Sequence, residues 1–133
     1  MNERFAAARV ARMGTVDEQG RAHLVPVVFV VDGDTIYSPI DYKPKSTKNP
    51  KRLHNIRRDP RVTLLVDHYE EVWPALWWIR VRGTARIIES GPEHTRAIAS
   101  LTQKYSQYES NPLEEAIIAI TPDDWREWQM TPA

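Results

Sequence analysis

KPKSTKNPKRLHNIRRDPRVTLLVDHY, from Lys43 to Tyr69, decides how the rest of the chain is read. Between Lys43 and Arg61 it holds eight of the eighteen Lys and Arg residues against one acid, Asp59, so it carries about +7 in a formally neutral protein. Such a concentration attracts phosphates, carboxylates or nucleic acid, and it is equally compatible with a solvated helix face. Pro44 and Pro50, with Pro39 just before them, forbid regular helix in the first half. Lys51 to Asp59 can form a short helix whose start is set by Pro50 at a first-turn position, which is anchored by Leu53 and Ile56 and closed by Pro60. Val62 to Tyr69 then follows as a strand with an apolar centre.

Working outward towards the N-terminus, Thr35 to Ser38 reads as a strand that ends just before the basic stretch, preceded by an Asp32-Gly33-Asp34 turn. Ala22 to Val31 reads as one strand, and its nearly continuous apolar run predicts burial on both faces. Pro26 cannot donate a ladder hydrogen bond, so the strand should have an edge or a bulge there. Met13 to Val16 pairs with it through the Asp17–Gly20 turn, and Asn2 can cap a short helix reaching Arg12.

Towards the C-terminus, Leu76 to Glu89 reads as a long strand with Trp78, Arg80 and Arg82 on one face and Trp77, Ile79 and Val81 on the other. Gly83 marks a bulge or bend. Ser90 to Tyr105 reads as a helix with Ile98, Leu101, Thr102 and Tyr105 inward. Ala116 to Thr121 is the last strand, and Pro122 begins a tail. Six strands joined mostly by hairpin-length connections, with two or three helices, predict a mainly β fold: a small antiparallel barrel plugged by helices.

The 133 residues fit one domain, spanning residues 1–133. No apolar run approaches the roughly 18 residues needed to cross a bilayer, and the N-terminus lacks the apolar core of a secretory signal, so no membrane association and a cytoplasmic location are expected. The absence of cysteine rules out disulfides, thiolate metal sites and thiol nucleophiles. His23, His54, His68 and His94 are spaced singly, so no metal site is expected. Neither GxGxxG nor GxxxxGK[ST] occurs, so any phosphate site must be built from something other than the usual glycine loops. Nucleic acid is not an expected partner, because the basic segment has no interleaved aromatic residues to stack bases.

The succession ARMGTVDEQGRAHLVPVVFVVDGDTIYS, then KPKS, then KRLHNIRRDPRVTLLVDHY resembles the flavin-type split β-barrel superfamily that includes the pyridoxamine 5′-phosphate oxidases. It looks closest to the branch that uses the deazaflavin coenzyme F420. The resemblance covers about residues 6 to 121; it rests on order and spacing, with RLHNIRRDPRVTLLV its most specific part. It implies a six-stranded antiparallel split β-barrel, a homodimer, and a cofactor in a groove between the subunits.

By the same resemblance, Arg52 and its neighbour Lys51 match the basic residues at the cofactor phosphate. Ser38 matches a hydroxyl residue near it, and the backbone of Pro26, Val27 and Val28 matches the strand on which the ring lies. Flavin mononucleotide (FMN) oxidases of the superfamily carry an arginine and a lysine on the second strand, where this chain has Val25 and Val30. That departure favours F420 and keeps FMN as the alternative.

F420 presents a phosphodiester and a polyglutamate tail, which suits the extended cluster Lys43, Lys45, Ser46, Lys48, Lys51 and Arg52. Arg57, Arg58 and Arg61, at the far end of the helix, read as structural. Trp77 and Trp78 are open between plain packing and covering the cofactor or a small-molecule substrate. His68 and Tyr69 read as a capped strand end more readily than as proton donors, so the catalytic residue is unassigned. The function implied is hydride transfer between the deazaflavin and a small conjugated or quinone-like acceptor. The alternatives are an FMN-dependent oxidoreductase and a non-catalytic F420 carrier.

Overall fold

The two longest strands of the chain pair along their whole length and hold the other five in place. In the computed structural model, which describes residues 2–40 and 50–130, these are β6 (Trp77–Ile88) and β7 (Ile117–Gln129). The other strands are β1 (Ala11–Val16), β2 (Ala22–Val27), β3 (Val30–Asp32), β4 (Thr35–Pro39) and β5 (Arg61–His68). They form one sheet in the order β2-β1-β5-β6-β7-β4-β3, with antiparallel neighbours throughout. The mainly β, barrel-like fold expected from the sequence is present, with seven strands among the described residues rather than six.

The extra strand arises because the expected Ala22–Val31 strand is broken at Val28 and Phe29. Side chains occupy backbone groups that a continuous ladder would use. Ser38 Oγ donates to the Val28 carbonyl at 2.8 Å, and Lys104 Nζ donates to the Phe29 carbonyl at 2.9 Å. The Tyr105 hydroxyl accepts from the Phe29 N–H at 3.2 Å. Burial on both faces is also corrected: β2 alternates, with Leu24 68% exposed and Pro26 exposed on its outer side. Pro26 sits on an edge strand, where its missing N–H disrupts no interior ladder.

β7 corrects a second expectation, because it continues through Pro122 to Gln129. The register slips at Gly83, from Arg82 opposite Asp124 to Gly83 opposite Pro122, so a bulge absorbs the proline and leaves Asp123 as the extra residue. Gly83 is required at this crossing, since a Cβ there would lie 2.4 Å from the Thr121 carbonyl oxygen.

The inner faces of β1, β5 and β6 enclose Met13, Leu64, Val66, Ile79 and Val81, joined by Ile118 and Ile120 of β7. Helix α2 (Lys51–Arg58) closes this core with Leu53 and Ile56, which are 2% and 3% exposed. Pro50 is its N-cap rather than its first helical residue. Helix α1 (Glu3–Ala7) is shorter than expected, capped by Asn2 accepting from the Phe5 N–H at 3.0 Å, and it seals the barrel with Phe5. β1 therefore begins at Ala11 rather than Met13. A second core lies between the sheet and helix α3 (Pro92–Lys104), where Tyr37, Ile117 and Ala119 meet Ala97, Leu101 and Tyr105. The short helix α4 (Gln107–Ser110) adds Tyr108 to it. No helix among the described residues is long and apolar enough to cross a membrane.

Candidate functional site

The expected cofactor residues fall into two groups separated by the length of β2. The first lies at the C-terminal end of that strand, where Pro26 and Val27 lead into the Val28–Phe29 break. Because β2 is an edge, alternate backbone N–H and C=O groups there face away from the sheet and can bind a ligand. Ser38 lies beneath this break and is fully buried, its hydroxyl hydrogen committed to Val28.

The break is braced from α3. Lys104 Nζ donates to the carbonyls of Ala6 and Phe29, each at 2.9 Å, and lies 4.0 Å from the centre of the Phe29 ring. Burial, with a contribution from Arg9, lowers the Lys104 ammonium to about 8. The Tyr105 hydroxyl lies 2.9 Å from the Phe29 carbonyl and 3.0 Å from that of Arg9. Sequence reasoning placed Tyr105 on the inward face of its helix without a polar role and gave Lys104 no task.

The second group is the N-terminal turn of α2, where Lys51 and Arg52 follow a proline N-cap. That turn has no acid of its own and no side-chain cap, so its N–H groups present the positive end of the helix dipole. This end adjoins the β1–β2 turn. Asp17 is held below its usual range first by the Arg21 backbone N–H, with Lys51 among the further causes, and His54 Nε2 lies 3.5 Å from Glu18. Asn55, fully buried, donates from Nδ2 to Thr15 Oγ1 at 3.0 Å and fixes the helix on β1.

The arginines at the other end of α2 are occupied. Arg57 lies 3.5 Å from Glu89, Arg58 donates to the Val16 carbonyl, and Arg61 pairs with Asp59 at 2.6 Å. Lys43, Lys45, Ser46 and Lys48 lie outside the described residues.

The structure thus brings Ser38 to Val28 and leaves Lys51 and Arg52 beside the β1–β2 turn. The six residues of β2 between the groups span about 17 Å at ~3.4 Å per residue. Val25 packs on the barrel core and Val30 on the second core, so neither presents a polar group to that span.

The outer face of the sheet carries a third feature that pattern reading did not find. A depression of about 510 Å³ is lined by Arg12 and Gly14 of β1, Leu24 of β2, Thr63, Leu65 and Asp67 of β5, and Trp78 and Arg80 of β6. Leu24 stands opposite Gly14 and Pro26 opposite Arg12, so this depression adjoins the edge at Pro26. Trp78 lines it directly. Trp77 instead stacks on His68 at 6.1 Å with the Arg4 guanidinium 5.1 Å from its ring centre. His68 Nε2 lies 2.8 Å from Glu70, and Tyr69 is exposed. Among the described residues, no three His, Asp or Glu side chains come together as a metal site.

The fold is widely shared. A conserved hypothetical protein from Mycobacterium tuberculosis superposes with a TM-score of 0.75 at 22% identity, covering 97% of this chain and 85% of that one. A heme storage protein from Vibrio cholerae gives 0.71 at 16% identity over 91% and 85%. An F420 reductase gives 0.65 at 18% identity over 93% and 94%. No curated protein matches the chain. The family model described as pyridoxamine 5′-phosphate oxidase matches residues 1–129, nearly the full length, and the chain belongs to that family.

Proposed function

We propose that this chain is an oxidoreductase that binds coenzyme F420 in a groove between two copies of itself and passes a hydride between the deazaflavin and a small conjugated acceptor. The observation that carries this reading is the separation of the two groups by the length of β2. Such a span suits an elongated cofactor, with its ring at the Pro26–Val28 edge and its phosphodiester and polyglutamate tail at Lys51, Arg52 and the basic segment before them. FMN and F420 carry their phosphate on the same ribityl arm, and F420 alone continues beyond it into an anionic tail long enough to follow β2 towards those cations. The structural likeness to an F420 reductase points the same way.

When bound, the deazaflavin supplies hydride chemistry at ring carbon C5. The protein's own contribution is placement. Lys51 and Arg52 offer charge-assisted contacts to the anionic tail. Ser38, Lys104 and Tyr105 hold the Val28–Phe29 break in one conformation, so that the edge groups are fixed before the ring arrives.

A second copy is part of the proposal. The outer face of β2, β1, β5 and β6 exposes Leu24, and Trp128 of β7, opposite Trp78, is 40% exposed. An isologous partner closing over that face would convert an open depression into an enclosed chamber.

The test is a comparison of two arginines on one helix. Arg52→Ala should weaken F420 binding at least about tenfold, the scale of losing one charge-assisted contact, whereas Arg58→Ala should leave it nearly unchanged. Equal effects would place the anion elsewhere. Consumption of bound reduced F420 on addition of quinones or enones separates an enzyme from a carrier, which would leave the reduced coenzyme intact.

A further inference from the structure

We infer that the outer-face depression is the acceptor site and that it selects a planar carboxylate, held through Arg80. This rests on the oxidoreductase reading above and adds the substrate class. Leu24 and Leu65 give the depression apolar sides, and Gly14, opposite Leu24, gives it a low floor. A Cβ on Gly14 would reach to 3.1 Å from Leu24 Cδ2, so glycine keeps that space open. With Trp78 as a flat wall and about 510 Å³ of room, the shape suits a fused-ring or extended conjugated ligand.

Charge specifies the rest. Among the described residues three ionisable side chains line the depression, and Arg12 pairs with Asp67 at 3.3 Å, which leaves Arg80 as the cation with no acid beside it there. Among the described residues the buried Arg80 Nε has no hydrogen-bond partner, and the guanidinium lies 5.5 Å from the Trp78 ring centre. Directly across the ladder stands Arg126, itself paired with Asp124 at 3.5 Å. Like charges facing each other across strands destabilise a sheet, and an unsatisfied buried donor adds to that cost. A carboxylate accepting from the outer guanidinium nitrogens of Arg80 offsets that charge, while its conjugated body lies along Trp78, next to the Pro26 edge where the deazaflavin ring is proposed to sit.

The experiment uses an unreactive pair of probes of equal shape, 2-naphthoate and 2-naphthamide, titrated calorimetrically into protein with and without saturating F420. Naphthoate should bind at least about tenfold tighter, the scale of one charge-assisted contact. Arg80→Gln should abolish that preference, while Arg126→Gln should retain it. Equal affinities, or a preference that survives Arg80→Gln, would overturn the inference. Dissociation of a dimer by Arg80→Gln without any naphthoate preference would assign Arg80 to a subunit contact and overturn it as well. Preference in a protein that does not bind F420 upholds the acceptor site and defeats only the coenzyme reading; F420 binding without preference does the reverse.

Discussion

Ser38→Ala isolates the strand break on which the proposed ring seat depends. The hydroxyl makes one bond, 2.8 Å to the Val28 carbonyl, and the side chain has no solvent access. Removing it leaves a partly buried acceptor without its donor, a loss of about 1–2 kcal/mol. At ~2.1 cal/mol/K per residue the unfolding entropy of 133 residues is about 0.28 kcal/mol/K, so Tm should fall by about 4–7 °C. Differential scanning calorimetry measures this, and an F420 titration on the same sample measures the consequence for the seat. Because Ser38 acts through Val28, affinity should fall several-fold in step with stability. An unchanged Tm together with lost affinity would mean that Ser38 contacts the cofactor itself and does not brace the strand break.

Other consequences follow from the same geometry. Glu93 accepts from both Arg86 Nη atoms at 2.7 Å and from the Tyr37 hydroxyl at 2.8 Å, and these bonds, Arg86 first, hold its carboxyl down from 4.5 to about 2. A depressed carboxylate stabilises above its unfolded value, so the Tm gap between wild type and Glu93→Gln should be constant above about pH 5 and close as pH falls from 4.5 through about 2. A gap that widens on acidification contradicts this. Gly83→Ala forces a Cβ to 2.4 Å from a backbone oxygen and should cost about 2 kcal/mol or more, whereas Gly14→Ala meets only the tip of exposed Leu24 and should cost less than about 1. Chemical denaturation of the two variants ranks them, and the reverse order would refute the bulge assignment. Leu24→Asp should keep the fold, since the side chain is 68% exposed, and should convert a dimer to monomer by light scattering. A dimer that persists unaltered would place the subunit contact elsewhere.

Local pattern made much of this fold legible. Leu53 and Ile56 anchor α2 where the spacing places them, Gly83 marks the bulge, and the alternation in β6 separates Ile79 and Val81 from Trp78 and Arg80. Pro26 reads correctly as an edge residue. The features that escaped depend on contacts between distant parts of the chain. The break at Val28 is made by Ser38 together with Lys104 and Tyr105, the latter two contacting Phe29 from 75 and 76 residues away, and no local signal announces that a lysine will cap two carbonyls. β7 runs past Pro122 because the proline meets the slip at Gly83, on a strand thirty-odd residues earlier. The acceptor depression needs β2, β1, β5 and β6 side by side, an order that hydrophobic periodicity does not contain. Arg12 and Arg80 consequently read as two separate surface arginines until that order places them around one space.

Parallel fluorescence titrations of the purified protein with F420 and with FMN decide which cofactor it binds. The span between Lys51–Arg52 and the Pro26–Val28 edge, with valines at positions 25 and 30, predicts saturable F420 binding that weakens with salt and is at least about tenfold tighter than FMN binding. Tight FMN binding with no binding of F420 would contradict it.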